Sequence, residues 1–205
     1  MGIFKCPKCK FENIQISTFP DLPNPMFGIY NRYNINAAAL LLEKVFGIKL
    51  ESIKNTLKEF SPAFGRQEII NYQGKSVFLL LSKNPTGFNQ SIEAVLEADK
   101  NPNVLLLLND RFPDGRDVSW IWDVEFEKFA KKRRNIFVSG DRVFDMALRL
   151  KYAGINLSPT QINADLQQAI DAALSKLENN ETLYILATYS AMLETRKILK
   201  GQAIL

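Results

Sequence analysis

Histidine is absent from all 205 residues. Its absence removes the commonest general base and a common metal ligand together, so acid–base chemistry falls to carboxylates, Lys, Tyr, two thiols or another chain. Cysteine is scarce: Cys6 and Cys9, both in one C-P-K-C stretch, are the only two. They cannot staple the fold, and a chain of this length buries a core without staples. No apolar run approaches the roughly 18–20 residues that span a bilayer. The start, MGIFKCPKCK, has no long apolar region of signal-peptide type, and the expected location is the cytoplasm. Neither a GxxxxGK run ending in Ser or Thr nor a GxGxxG run occurs, so a nucleotide site with its own phosphate cradle is not expected. Internal repeats and low-complexity tracts are also lacking.

What is present is an ordinary globular composition, 46% hydrophobic and 23% charged, with a net charge of +4. Part of that charge is the run KKRR (131–134). Cations suit a solvated helix end, where the dipole favours them; a phosphate or nucleic-acid contact is the other reading. Scattered acids, and no interleaving of aromatic with basic residues, speak against nucleic acid as a partner.

Residues 1–28 are proline-rich and read as an irregular arm. NRYNINAAALLLEKVFG (31–47) and LESIKNTLKEF (50–60) carry helical periodicity. Past Pro62 and Gly65 the pattern alternates. IINY and SVFLLLS form a hairpin turning at Gln73-Gly74. A helix (87–99), the strand NVLLLLND (103–110), the strand NIFVSG (135–140) and a helix (141–154) follow. A helix (162–177), the strand TLYILAT (182–188) and a last helix (189–200) complete the chain. This alternation predicts an α/β fold, a mainly parallel twisted sheet with helices on both faces. Ligands in such folds gather at the carboxyl ends of strands, where NVLLLLND, NIFVSGD and ILATYS each turn from apolar to polar.

Three stretches carry chemistry. Two thiols in CPKC make half of a zinc ribbon, an unliganded remnant of one, or a redox pair. A structural zinc site normally needs four ligands, so the missing pair would lie before Met1 or the site is vestigial. SKNPTGFNQ (82–90) is a strand–helix loop in which Thr86 or Asn89 caps the next helix, or a polar loop facing a ligand. NDRFPDGRDVSWIWD (109–123) gathers Asp110, Asp114, Asp117 and Asp123 with both tryptophans, Trp120 and Trp122. Such acids raise one another's pKa unless countered, and Arg111 and Arg116 are at hand. The loop serves as turn structure, as oxygen ligands for a divalent cation, or as the third member of a nucleophile–His–Asp relay. Without a histidine here, such a relay is completed only by another chain.

YNRYNINAAALL (30–41) resembles the nucleotide-contacting helix of the Mur ligase middle domain, and PAFGRQE (62–68) the hinge that follows it. KNPTGFN (83–89), LLLLNDRFPDGRDVSWIWD (105–123) and TYSAML (188–193) resemble the C-terminal domain of the MurT family. Members are ligase-like subunits of lipid II isoglutaminyl synthase, partnered by the glutaminase GatD. The resemblance implies a division at 1–28 (arm with half a zinc ribbon), 29–66 (helical piece of the middle domain, with hinge) and 67–205 (C-terminal α/β domain). It also implies an ATP- and Mg²⁺-dependent amide ligase. ATP activates the D-glutamate α-carboxyl of the lipid II stem peptide as an acyl phosphate, and glutamine-derived ammonia attacks it.

In that picture this chain docks the glutaminase and supplies an aspartate to its Cys–His pair, Asp117 first, then Asp123, Asp114 and Asp110. Asn31, Asn34 and Arg66 match nucleotide contacts. Asn84, Thr86, Asn89, Trp120 and Trp122 form the substrate or partner loop, and Cys6 and Cys9 are zinc ligands. Membrane contact arises only through the lipid-linked substrate, at the inner face. The P-loop, the Mg²⁺ ligands and the upstream cysteine pair are missing, and Asn36 stands where the family has an apolar residue. The chain is therefore expected to be a C-terminal piece of a MurT-like protein, inactive alone. The alternative is a non-catalytic binding module that docks through Trp120, Trp122 and the proline-rich arm.

Overall fold

Five strands, β1 (Arg66–Tyr72), β2 (Lys75–Leu81), β3 (Asn103–Leu107), β4 (Asn135–Ser139) and β5 (Thr182–Ala187), form one sheet of order β1-β2-β5-β3-β4. The structure is a computed structural model that describes residues 5–12, 21–62, 66–130 and 135–201. The KKRR run and the side chain of Arg66 lie outside the described residues. Only the β1–β2 pair is antiparallel; β2–β5, β5–β3 and β3–β4 are parallel. The hairpin turns where expected, with φ of 51° at Gln73 and 75° at Gly74. Two consecutive positive φ angles give the turn whose twist matches its strands.

Along β3 and just beyond it, side chains alternate between two cores. Val104, Leu106 and Leu108 enter one, Leu105 and Leu107 the other. Both faces are covered, so the run has no polar member, and burial of each leucine contributes about 1.5–3 kcal/mol. On the first face lie α3 (Pro85–Ala98) and α4 (Val143–Tyr152), which bury Phe88, Ile92, Met146 and Leu150. On the second lie α5 (Leu166–Ser175) and α6 (Tyr189–Lys200), which bury Ile170, Leu174 and Met192. The expected α/β class, a mainly parallel sheet with helices on both faces, is the one observed. The helices α1 (Ile29–Lys44) and α2 (Leu50–Glu59) share a small cluster of Leu22, Ile35, Ala39 and Ile53. Among the described residues, no helix is long and apolar enough to cross a membrane.

Local readings change at helix boundaries. The helix expected from Ile162 starts at Leu166, because Ile162 bridges to Val138 and Asp165 accepts the Gln168 N–H at 2.8 Å as N-cap. The cap of α3 is Asn84, whose Oδ1 accepts the Gly87 N–H at 2.7 Å, not Thr86 or Asn89. The segment after Asp117 forms two 3-10 turns, Ser119–Asp123 and Phe126–Phe129, laid across the first face of the sheet.

The segment after β3 crosses the first face while α6, after β5, lies on the second. The connections from these adjacent strands thus leave to opposite faces, the arrangement at which α/β sheets bind ligands. Gly140 seals one side of this rim at φ 101°. A Cβ there would stand 2.6 Å from the Leu108 carbonyl oxygen. Gly140→Ala is expected to cost at least about 2 kcal/mol through backbone strain and steric conflict, read as a lower urea midpoint at unchanged slope.

Candidate acidic rim at the carboxyl edge of the sheet

Asn109, 2% exposed, follows β3 directly and binds three elements. Its backbone N–H donates to Thr188 Oγ1 at 3.0 Å, and its Nδ2 donates to Ser190 Oγ at 3.0 Å. Its Oδ1 accepts the Asp141 N–H at 2.9 Å. The ends of β3, β4 and β5 are thereby tied at the rim, and the acidic loop leaves from a fixed point.

The four aspartates diverge from there. Asp114 reaches the N-terminus of α6, where Oδ1 accepts the Ser190 N–H at 2.8 Å and Oδ2 accepts the Ser190 hydroxyl. A carboxylate so placed satisfies an orphan helix amide and meets the positive end of the dipole. Asp110 faces Arg142 at 3.4 Å, while Arg142 itself forks onto Asp145. Asp117 is exposed and accepts the Ser119 N–H at 2.8 Å. The backbone N–H of Ser119 first, and its hydroxyl second, hold the Asp117 carboxyl below its ordinary pKa. Asp123 is exposed and makes no side-chain hydrogen bond among the described residues; its carbonyl accepts from Asn89 Nδ2 at 3.5 Å.

The loop's arginine does not counter the loop's acids as the sequence suggested. Arg111 forks onto Asp141 at 2.7 and 3.1 Å and pairs with Glu194, which joins β4's end to α6. Those carboxylates raise its pKa.

The 3-10 segment is clamped by a residue that sequence reasoning missed. Arg149 of α4, 5% exposed, donates through Nη2 to the Val124 carbonyl at 2.6 Å and through Nε to the Ile121 carbonyl at 3.2 Å. It also pairs with Glu127 at 2.9 Å and lies 5.4 Å from the Phe126 ring centre. A buried guanidinium is tolerated because its donors are met. The only sequence signal was an arginine on the apolar face of a helix. Trp120 packs beside Phe88 with ring centres 6.1 Å apart, whereas Trp122 is 49% exposed. In the first turns of α3, where the sequence suggested a loop, Asn89 Oδ1 accepts the Glu125 N–H at 2.8 Å, stitching the helix to the same segment, and Thr86 is exposed.

The remaining candidates lie elsewhere. Asn31 is buried and donates to the Phe27 carbonyl at 2.7 Å, while Asn34 is exposed. Phe27 is held from β1 by Gln67, which accepts its N–H and donates to its carbonyl, both at 2.7 Å. A cleft of about 490 Å³ adjoins them, lined by Phe27, Gln67, Glu68, Phe78, Arg196 and Lys200. Cys6 and Cys9 sit in a tight reverse turn: Cys6 N–H donates to Phe11 O at 2.8 Å and Lys10 N–H to Cys6 O at 3.0 Å. Hydrogen bonds from Cys9, backbone first, lower the Cys6 pKa and favour its thiolate. No group of three or more His, Cys, Asp or Glu able to hold a metal exists among the described residues. Two thiols do not close a tetrahedral zinc site.

Comparison with known proteins follows the same outline. The family described as MurT ligase C-terminal matches residues 81–192. The lipid II isoglutaminyl synthase (glutamine-hydrolyzing) subunit MurT of Streptococcus pneumoniae is 36% identical over 86% of this chain, which spans 39% of that protein. The subunit of the same name from Staphylococcus aureus is 34% identical over 69% of the chain, which spans 32% of it. Among solved structures, folylpolyglutamate synthase of Mycobacterium tuberculosis, complexed with ADP and AMPPCP, aligns with a TM-score of 0.59 at 17% identity. The alignment covers 88% of this chain and 42% of that one. UDP-N-acetylmuramate-alanine ligase of Thermotoga maritima aligns at 0.53 and 15% identity, covering 85% and 39%. At such identities these two speak for the fold.

Two outcomes follow from the rim. Asp114→Ala should lower stability by about 1–2 kcal/mol as the N-terminus of α6 loses its carboxylate acceptor, read from the urea midpoint, whereas Asp117→Asn should leave the midpoint essentially unchanged. Equal losses would contradict the division of roles. By ¹³C-detected titration, the Asp117 carboxyl should titrate below the ordinary aspartate range, and Ser119→Ala should move it part of the way back. Its folded pKa is lowered, so the associated stabilisation is present above the unfolded pKa and lost as pH falls through the folded one.

Proposed function

The chain belongs to the MurT ligase C-terminal family, and from that premise we propose that it works in a glutamine-hydrolysing lipid II isoglutaminyl synthase. In this reading it docks the glutaminase subunit and presents Asp117 to that subunit's cysteine–histidine pair. One observation carries the assignment: an exposed aspartate, oriented and kept ionised by Ser119, in a chain with no histidine of its own. A relay carboxylate accepts the Nδ1–H of the imidazole, fixes its tautomer and stabilises the imidazolium as the thiol is deprotonated. Asp117 is built for that task because its carboxylate is solvent-facing and the hydrogen bonds from Ser119 fix its orientation. Asp114 is committed to α6 and Asp110 faces Arg142, which leaves Asp123 as the reserve.

Ammonia so released would amidate the D-glutamate α-carboxyl of the lipid II stem peptide, with ATP and Mg²⁺ in the complete ligase. Asn31, Asn34 and Arg66 are the nucleotide-side residues of this proposal. The support is their motif position, together with the bond from Asn31 to Phe27, which lines the cleft beside the hinge. Residues 29–66 then act as the hinge side of a ligase middle domain and 67–205 as its C-terminal domain. Zinc, if it belongs to the assembly, takes two of its ligands from Cys6 and Cys9. The assembly works in the cytoplasm and meets the membrane through its lipid-linked substrate.

Glutamine hydrolysis by the reconstituted pair tests this. Asp117→Asn should lower kcat about 10²- to 10⁴-fold with little change in complex formation. An unchanged rate moves the role to Asp123. Stable binding with no effect from either variant leaves a docking module.

A further inference from the structure

The α4 helix turns Val143, Met146 and Leu150 into the core. Residues 144, 148 and 152 fall at i, i+4 and i+8 on the opposite side, where a solvated helix carries polar groups. They are instead Phe144, Leu148 and Tyr152, exposed at 74%, 50% and 72%. Trp122 lengthens the row: it is 49% exposed, and its ring meets Tyr152 edge-on with centres 5.4 Å apart. Arg149 stands 5.7 Å from the Trp122 ring centre while its other contacts grip Val124 and Glu127. Single exposed apolar residues are ordinary, but three aromatics and a leucine aligned on one helix face and the turn beside it have the composition of an interface hot spot.

From this juxtaposition we infer that the row Phe144–Leu148–Tyr152–Trp122 is the surface on which the glutaminase subunit sits. The inference rests on the function proposed above. Charge and continuity select this occupant. The segment that carries Trp122 exposes Asp117 and Asp123 without ion pairs among the described residues, whereas Glu125 is paired with Lys128 and Glu127 with Arg149. A fitting partner therefore has an apolar centre and a basic group that meets those two carboxylates. A second copy of the chain, which has no histidine, would bring no imidazole to Asp117. Asp117 also belongs to the same surface, bonded to Ser119 at the start of the turn that holds Trp122. A subunit that brings an imidazole to Asp117 must cover its neighbours. Docking on a preformed row orders few side chains, which favours affinity.

The test uses the full chain and the purified glutaminase subunit from the same genome. Leu148→Asp and Tyr152→Ala should each weaken the dissociation constant, read by calorimetry, by at least about 30-fold, with unchanged urea midpoints. Excess glutaminase should restore hydrolysis, because Asp117 is intact. Asp117→Asn should do the reverse, keeping affinity and losing rate. Wild-type affinity in both surface variants overturns the docking assignment even if Asp117→Asn still abolishes hydrolysis. Weakened binding with an Asp117-independent rate supports the surface and sinks the relay. Self-association that Leu148→Asp abolishes would assign the row to a second copy and overturn the inference, and failure of the wild-type chain to bind the glutaminase overturns both readings.

Discussion

One buried amide holds the functional end of this protein together. Parallel strands leave the sheet without hairpins to tie them, so their carboxyl ends need another tether. Asn109, almost fully removed from water, is that tether: its backbone N–H reaches Thr188, and its side-chain amide donates to Ser190 and accepts the Asp141 N–H. A buried amide of this kind stabilises only while every group is met, and leaves a costly orphan when one is lost. Gly140 exists on the same terms, since any Cβ would press on the Leu108 carbonyl and the Asn109 Oδ1. The starting point of the acidic loop, and hence where each aspartate can reach, depends on this knot.

Four carboxylates in fifteen residues would repel one another if they pointed alike. The fold separates them by giving each a different duty. Asp114 travels to the amide end of α6, sharing Ser190 with Asn109, so that cap and knot form one network. Asp110 turns toward Arg142, and Arg111 is drawn away by Asp141 and Glu194. Asp117 is left facing solvent with a backbone donor behind it. The proposed shared relay draws on this exposed carboxylate and on the absence of histidine from the chain.

The same economy governs the segment that follows. Two 3-10 turns leave several carbonyls without intrahelical partners. Arg149 of α4 donates to the Ile121 and Val124 carbonyls, while Asn89 of α3 accepts the Glu125 N–H and donates to the Asp123 carbonyl at 3.5 Å, so the segment is held onto the sheet while Trp122 stays outside. The relatives named as isoglutaminyl synthase subunits are much longer than this chain, which spans 39% of one and 32% of another. The matched stretch is the one that holds the rim and the exposed row of α4, not a phosphate cradle.

Much of this was legible beforehand. Apolar runs of five or six residues flanked by turn residues announce strands buried on both faces, and the helical period announces their covers. Other features were not legible. The insertion of β5 between β2 and β3 pairs residues 106 and 80 positions apart, and local pattern carries no information on that pairing. Asn84 as cap, Asn89 as stitch and Arg149 as clamp depend on where neighbouring backbone groups fall in space. By itself, the sequence determined the elements, their alternation, and an acid-rich strand end lacking an imidazole. Only the tertiary structure decided that Asp114 and Asp110 are engaged while Asp117 and Asp123 stay exposed. That choice depends on donors brought from β4's end, α6 and Ser119, and a carboxylate's role is set by the donors within about 3 Å of it.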